Sequence, residues 1–531
     1  MTEKDEPKSG VAKVVDGAVL VCLFIFVAFA PHSIAVTQGA WLLGMVLWLV
    51  RFAFRPRPKL YRAPIDHLVL GFFIFTGLSA FLSYEPTVSI GKLRAASLFT
   101  IIYLFAENVP SLRVARLLAV TMVCSCMFSV FYTGGERLLG RGVKVFGVSE
   151  QSPLYRAGVR DGDTLLQADG RKLHHPEDIV NIVSLAEDHP AVIRGYRHEL
   201  EPTFKMPRGS LQPGATALEQ LGIQSWSSGR DWRATGLYGH YVTYAEVLQL
   251  IIALGLGLFV SLPVKRSWAG ILLLVALAGF SFALLLTFTR ASWLGCIVSS
   301  LIILALTIRR RTMLILGLLA IPLILGGLFM LQQKRNVGFL DQKDDSTTWR
   351  TTVWREGFDL LVSNPRHLLV GIGMDSIKRR WRQWGMFDGG RIPLGHMHSN
   401  LLQIALERGL PALILWLGFL FVYARTLWRS LWSIRTRSGA GSPRGQPAWG
   451  AGSDGVSSIN LDEGTVLTQG DRSLRWIEQG ILLGALGGLA GFSSAGMVHY
   501  NWGDSEVIMI FYCIMGLSLV VARTASLERD V

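Results

Sequence analysis

Charge is scarce in this chain. Asp, Glu, Lys and Arg make up 17% of its 531 residues, against the ~25% of an ordinary soluble domain. That excludes a charge-rich disordered protein and argues against a water-exposed surface of normal composition. Cysteine is nearly absent. Cys22, Cys124, Cys126, Cys296 and Cys513 lie in or beside apolar runs, so no disulfide framework is expected. They read as small lipid-facing or core residues. No clear small-residue cleavage site follows the first apolar run, which continues into further spans, so no removable signal peptide is expected. No repeated pair of interrupted apolar segments marks a transporter of the inverted-repeat kind. Lys and Arg are missing from the stretches 31–38 and 497–504.

Apolar residues fill the space that charge leaves. They make up 50% of the chain, and mean hydropathy is +0.39. Runs near spanning length occur at 14–34, 36–54, 65–83, 93–110, 114–132, 239–262, 268–288, 291–308, 313–332, 410–427, 476–496 and 505–522. By the rule of about 20 apolar residues per crossing these predict about twelve spans. The basic residues then fix orientation. Lys4, Lys8 and Lys13, the cluster Arg51 to Arg62, Arg113 and Arg116, Lys265 and Arg266, Arg309 to Arg311, and Arg425 to Arg437 fall on one side. That side is expected to be cytoplasmic, with both termini. The formal charge of +14 is thus largely topology and implies no nucleic acid partner. The expected divisions are 1–132 and 239–332, both transmembrane; 133–238 and 333–409, both external; and 410–531, transmembrane with a cytoplasmic loop at 428–475. That loop is rich in Gly, Ser and Pro and reads as disordered. The predicted fold is an all-α polytopic membrane protein with a small α+β insert outside the cytoplasm.

The insert has its own periodicity. "GVKVFGV" alternates like a strand, and "AVIRGYR" and "LEPTFKM" are two further strand candidates. "HPEDIVNIVSLAE" spaces Ile179, Ile182, Val183 and Leu185 as a helix does. Gly158, Gly162 and Gly170 punctuate turns. Ser152-Pro153, Ala157-Gly158, Gly162-Asp163 and Asp169-Gly170 come in the order that resembles a bacterial PDZ domain, over about 140–207. The resemblance implies a peptide or protein ligand, bound as an added strand at a sheet edge. Its carboxylate-binding loop would lie near "LLGRGVKV". A folded spacer or lid without a ligand is the alternative.

"GHMHSNLLQIALERGL" (395–410) carries the most chemistry. His398, Leu402, Gln403, Glu407 and Gly409 recur at helical spacing just before an apolar run. The pattern resembles that of the O-antigen ligase and O-antigen polymerase superfamily: His-Asn, two residues, Leu-Gln, then Glu, one residue, Gly. Ser399 stands where Asn is commoner, with Asn400 one place later. Four further stretches resemble the same superfamily and in its order. They are "RATGLYGHYVTYAE" with Arg233 and His240, "LTFTRASWLG" with Arg290, "STTWRTTVWREGFDLL" with Arg350, and "YNWGDSEVIM" with Asp504 and Glu506.

The resemblance implies a C-type glycosyltransferase-like membrane fold. It implies a glycan donor linked to undecaprenyl diphosphate, and transfer to an acceptor hydroxyl on a lipid A core sugar or another glycan. It places the protein in the bacterial inner membrane with its site facing the periplasm, among membrane lipids. His398 would take the acceptor proton, since a neutral imidazole suits that near neutral pH. Arg290 and Arg350 would hold the diphosphate, because a planar guanidinium meets phosphate oxygens in pairs. Arg233, Lys92, Arg94, Asn400, His240, Asp504 and Glu506 are the further substrate-binding candidates. Lys92 and Arg94 also read as interfacial side chains reaching for water, and Asp504 and Glu506 as an acidic first helical turn. "HMH" offers two imidazoles and no third ligand at a suitable spacing, so no metal is expected. No cofactor is expected either. A polymerase joining lipid-linked repeat units, a ligase acting on a protein hydroxyl, and a peptide-sensing or transport protein are the alternatives.

Overall fold

The computed structural model describes residues 9–197, 201–307, 345–440 and 475–527. They are mostly helical, with one small antiparallel sheet. Two compact units form. One comprises Met1–Met127, Ala245–Ser281 and Arg290–Val531; the other comprises Phe128–Tyr244 and Phe282–Thr289. Among the described residues, nine helical segments are long and apolar enough to cross a membrane. The chain is a multi-pass membrane protein.

In chain order the first helices are α1 (Gly10–Phe29), α2 (Ile34–Arg51) and α3 (Asp66–Phe81). α3 has 16 residues and is short for a span. The run at 93–110, expected as one helix, is instead built in pieces: α4 (Pro86–Gly91), α5 (Leu93–Ala96), a 3-10 turn at Ser97–Phe99, and α6 (Thr100–Asn108). Ser97 Oγ donates to the Arg94 carbonyl at 2.8 Å and Thr100 Oγ1 to that of Ser97 at 2.9 Å. Such local hydroxyl bonds compete with a regular helix. α7 (Leu112–Leu139) follows.

The insert contributes β1 (Val143–Phe146), α8 (Pro153–Arg156), β2 (Thr164–Ala168), β3 (Arg171–Lys172), α9 (Pro176–Val183), β4 (Ala191–Tyr196), β5 (Thr203–Met206), α10 (Ala217–Leu221) and β6 (Ser225–Ser228). The strand order is β5-β4-β2-β1-β6, with β3 paired to β2. Val143, Leu154, Leu165, Ile179, Ile193 and Met206 are in its core. Asp178 caps α9 by accepting from the His174 and His175 backbone at 2.7 and 2.9 Å. The sequence expectation ended this domain near 207. The sheet and core run on to Leu221, Ile223 and β6, because the serine-rich "SWSS" carries no strand periodicity to announce it.

The remaining helices are α11 (Tyr241–Ser261), α12 (Trp268–Leu286), α13 (Arg290–Thr307), α14 (Asp345–Val362), α15 (Pro365–Val370), α16 (Ser376–Arg380), α17 (Met386–Gly390), α18 (Asn400–Ala440), α19 (Arg475–Ala495) and α20 (Ser505–Leu527). The expected span at 313–332 lies outside the described residues. α19 is 21 residues long yet is not among the nine apolar segments. Glu478 and five glycines dilute it. Those glycines have a use. A Cβ on Gly480 would lie 2.7 Å from Leu258 Cα, and one on Gly257 would lie 2.4 Å from the Gly480 carbonyl oxygen. On the other side, a Cβ on Gly491 would lie 2.4 Å from the Gly295 oxygen. α19 therefore meets α11 and α13 backbone to backbone, the contact that small residues permit between helices in a membrane.

Gly409 breaks α18 at φ +83°. A Cβ there would meet the Leu369 carbonyl oxygen at 2.4 Å, and Pro411 starts the continuing helix as an N-terminal proline can. The preceding segment, 400–408, packs onto a small core of Val353, Ile372, Met386, Met397 and Leu406.

Candidate active site

The motif residues divide into scaffold and chemistry. Gln403 is buried. Its Oε1 accepts from the Met397 backbone at 2.6 Å, and its Nε2 donates to Glu407 Oε1 at 2.8 Å. Glu407 in turn accepts from the Asp375 backbone at 2.9 Å, and Trp354 Nε1 donates to the Met397 carbonyl at 2.8 Å. Met397 is thus held from both sides. His398 follows it with φ +48°, a left-handed conformation that strains a non-glycine residue. The clamped backbone throws the imidazole out of the helical line.

Asn400, expected as a substrate contact, is 1% exposed. Its Nδ2 donates to Asn501 Oδ1 at 2.6 Å, its Oδ1 accepts from the Trp502 backbone at 3.2 Å, and its N–H donates to the Gly496 carbonyl at 2.7 Å. The structure gives it a positioning role instead. It ties the start of α18 to the turn at 496–502, and that turn carries His499.

Three rings meet at His398. Trp349 stands edge-on to it at 4.6 Å, His396 lies at 4.2 Å and His499 at 5.8 Å. Burial, then the neighbouring imidazoles and the Arg350 guanidinium, push the His398 pKa down to about 2. It is neutral near pH 7. Its Nδ1 is buried with no hydrogen-bond partner. His499 goes the other way. Burial alone would lower it, but the carboxylate of Glu246, an ion pair at 2.8 Å, and the charge of Asp504 hold its pKa above the ordinary value. Glu246 itself is 1% exposed. His396, His398 and His499 each present one ring nitrogen within 4.8 Å of the others. The third imidazole missing from the local sequence is therefore supplied from 101 residues further on, and the three could hold a zinc-class ion.

A cavity of about 200 Å³ adjoins the cluster, lined among others by His396, Tyr500, Arg408, Lys92, Lys378 and Phe99. Arg408 is 6% exposed. Its Nη1 pairs with Glu407 at 3.3 Å, while its Nε makes no hydrogen bond. Lys92, a candidate from sequence, pairs with Asp375 at 2.7 Å at the cavity wall. Arg94 is exposed. Asp504 caps α20, accepting from the Glu506 and Val507 backbones at 3.1 and 3.4 Å, and Glu506 sits in that first turn. Arg290 opens α13 half-buried. The charges acting on His398 are those of His396, His499 and Arg350; Arg290 is not one of them. Arg233 and His240 belong to the other compact unit. There the Arg233 guanidinium lies 4.2 Å over the Tyr241 ring, and His240 stacks on the same ring at 5.2 Å.

Sequence reasoning passed over Glu246, Arg408 and Trp349. For Glu246 and Arg408 a signal existed: each is an ionisable residue within or at the edge of an apolar run, which is a site hypothesis by default. Nothing local marks Trp349.

Comparison with known proteins bears on both units. Residues 273–417 match the family model described as O-antigen ligase, and residues 145–194 match that of the PDZ domain. The magnetosome formation protease MamE of Magnetospirillum gryphiswaldense is 47% identical over 45 residues, which is 8% of this chain and 6% of that protein. In its membrane helices the chain is therefore similar to O-antigen ligases, glycosyl-transfer enzymes of the ligase or polymerase type, and the part inserted among those helices is similar to a PDZ domain.

Proposed function

We propose that this protein moves a glycan from undecaprenyl diphosphate to an acceptor hydroxyl, that of a lipid A core sugar, at the periplasmic face of the bacterial inner membrane. One observation supports this above the others. A neutral, partly buried imidazole, His398, sits under the charge of Arg350 in a motif that resembles the O-antigen ligases, beside a cavity lined by Arg408.

The step is a displacement. The acceptor O–H gives its proton to His398 as its oxygen attacks the anomeric carbon. The bond from that carbon to the diphosphate breaks, and the diphosphate leaves with the electron pair. Arg350 and Arg290 steady its growing charge, and Arg408 joins them through its Nε–H. With a base for the acceptor and no paired carboxylate nucleophile, the anomeric centre inverts. A pKa near 2 makes the resting imidazole a weak base. Burial lowers it most, and the positive field of His396, His499 and Arg350 adds to that; a diphosphate beside Arg350 offsets the field. The base strengthens when the donor is in place.

The test is a strain lacking the protein, with lipopolysaccharide resolved on gels. Loss of polymer from the core, with polymer retained on the lipid carrier, supports the ligase. Core bearing a single repeat unit makes it a polymerase, and unchanged lipopolysaccharide sinks both. The orientation has its own test, motivated by the basic loops. In a chain whose five cysteines are replaced, Ala215→Cys should react with an impermeant thiol label from outside, and Thr436→Cys should not. The opposite pattern would reverse the topology.

A further inference from the structure

A second cavity of the membrane unit, of about 230 Å³, opens on the side of the basic loops. It lies between the segment leading into α3, the later part of α18 and the last turns of α20. Its lining is graded. Val422 and Leu519 belong to an apolar wall, while Tyr61, Arg425, Arg429 and Ser433 make a polar mouth. Its depth follows from helix geometry. α18 runs on past its break at Gly409, and at about 1.5 Å per residue Arg429 stands roughly 30 Å beyond that break, the thickness of a hydrocarbon core. Trp428 and Trp432 mark the same level. They are exposed and stacked, with ring centroids 6.4 Å apart and planes 8° apart, and tryptophans collect where acyl chains give way to headgroups.

The charges at the mouth have no protein partner. Arg425 and Arg429 stand one turn apart on α18, so two like charges face the same way and repel. Both are exposed, and among the described residues neither makes an ion pair or a hydrogen bond. The carboxylates behind Tyr61 are engaged elsewhere. Glu107 accepts the Tyr61 N–H at 2.9 Å and lies in the field of Arg523, whose guanidinium sits 5.2 Å over the Tyr61 ring. Asp66 accepts from the Ala63 backbone and the Tyr103 hydroxyl, each at 2.9 Å. Thr426 and Ser430 spend their hydroxyl protons on carbonyls of their own helix at 2.8 and 2.9 Å. Among the described residues Ser433 makes no such side-chain bond. Two guanidinium forks and a hydroxyl therefore stand over an apolar wall, an arrangement that fits an anion carrying an apolar tail.

We propose that this cavity holds the phosphodiester headgroup of an anionic phospholipid, drawn from the leaflet on the side of the basic loops. Arg425 and Arg429 take the phosphate oxygens, Ser433 donates a further hydrogen bond, and the first acyl carbons lie along Val422 and Leu519. Basic pockets between helices at this depth take such headgroups. A zwitterionic lipid offers the same phosphate but brings an ammonium group toward the arginines, so the site selects for net negative charge. The bound lipid ties α18 to α20 and to the segment before α3. Nothing in this depends on the glycan-transfer reading.

The experiment uses the purified full chain in detergent and native mass spectrometry, with phosphatidylglycerol, phosphatidylcholine of the same acyl chains, and inorganic phosphate as probes. Phosphatidylglycerol should bind more tightly than phosphatidylcholine. Arg425→Gln with Arg429→Gln should weaken it about thirtyfold, at about fivefold per arginine. Arg57→Gln with Arg266→Gln removes as much charge from exposed positions of the basic loops that do not line the cavity, and should leave binding as it was. Ser433→Trp keeps both arginines but fills the cavity, and should weaken phosphatidylglycerol as well. Equal affinity for the two lipids overturns the proposal. So does an equal loss in the two double variants, which would reduce the effect to overall surface charge, or unaltered binding in Ser433→Trp. Displacement of phosphatidylglycerol by millimolar inorganic phosphate would make the cavity a site for free anions and overturn it too. Glycan transfer is measured separately, on lipopolysaccharide, and none of these outcomes decides it.

Discussion

Replacing His398 by alanine is expected to lower glycan transfer by about 10²–10⁴-fold, the range for loss of a general base, in a protein that still assembles. The second half of that statement follows from the packing. His398 itself makes no side-chain hydrogen bond that the scaffold needs: Met397 is clamped by Gln403 and Trp354, and Asn400 by the turn at 496–502. Arg350→Lys and Arg408→Lys should act on the donor instead, raising its KM, because an ammonium cannot meet two phosphate oxygens as a guanidinium does. Transfer should persist in EDTA. The three imidazoles make that arm informative. Activity lost in chelator and restored by zinc would mean that His396, His398 and His499 work as a metal site. Near-normal turnover in His398→Ala would remove the base.

The other large effect is on assembly. Arg116 on α7 and Glu478 on α19 form an ion pair in the membrane unit, 5% and 7% exposed. Arg116→Ala would leave the carboxylate buried without its partner, and breaking such a pair costs about 3–5 kcal/mol. Thermal unfolding in detergent should show a large drop. Arg116→Met with Glu478→Leu should recover most of it, because no charge is then left uncompensated. If the single variant unfolds like the unaltered protein, the pair is not holding these helices.

The class of fold was legible because apolar run length and glycine-punctuated strands are local signals. His398 was legible for the same reason, through a motif compressed into twelve residues. What the sequence hid is what the fold brings from afar. Glu246 and His499 are more than 250 residues apart and joined only through the ion pair, and the third imidazole beside "HMH" could not be seen from spacing. β6 was hidden differently. Three serines and a tryptophan form a strand only because β1 offers an edge. The span at 86–108 looked like one unbroken helix because hydropathy does not register side-chain hydroxyls that bond backward along the chain.

The glycines of α19 bear on where the protein can work. α11 carries Glu246, and α19 leads straight into the turn that carries His499. The two helices touch through Gly257, Gly480 and Gly484, with no side chain between them. A slip of one residue would carry Glu246 about 1.5 Å along its axis and about 100° around it, and the ion pair would be gone. Glycine contacts this close admit no such slip. A thinner or thicker bilayer can therefore tilt the pair together but cannot slide one helix along the other. Turnover should stay nearly level across vesicles of different acyl-chain length, and a sharp optimum would contradict it. The site is buffered against the membrane that surrounds it.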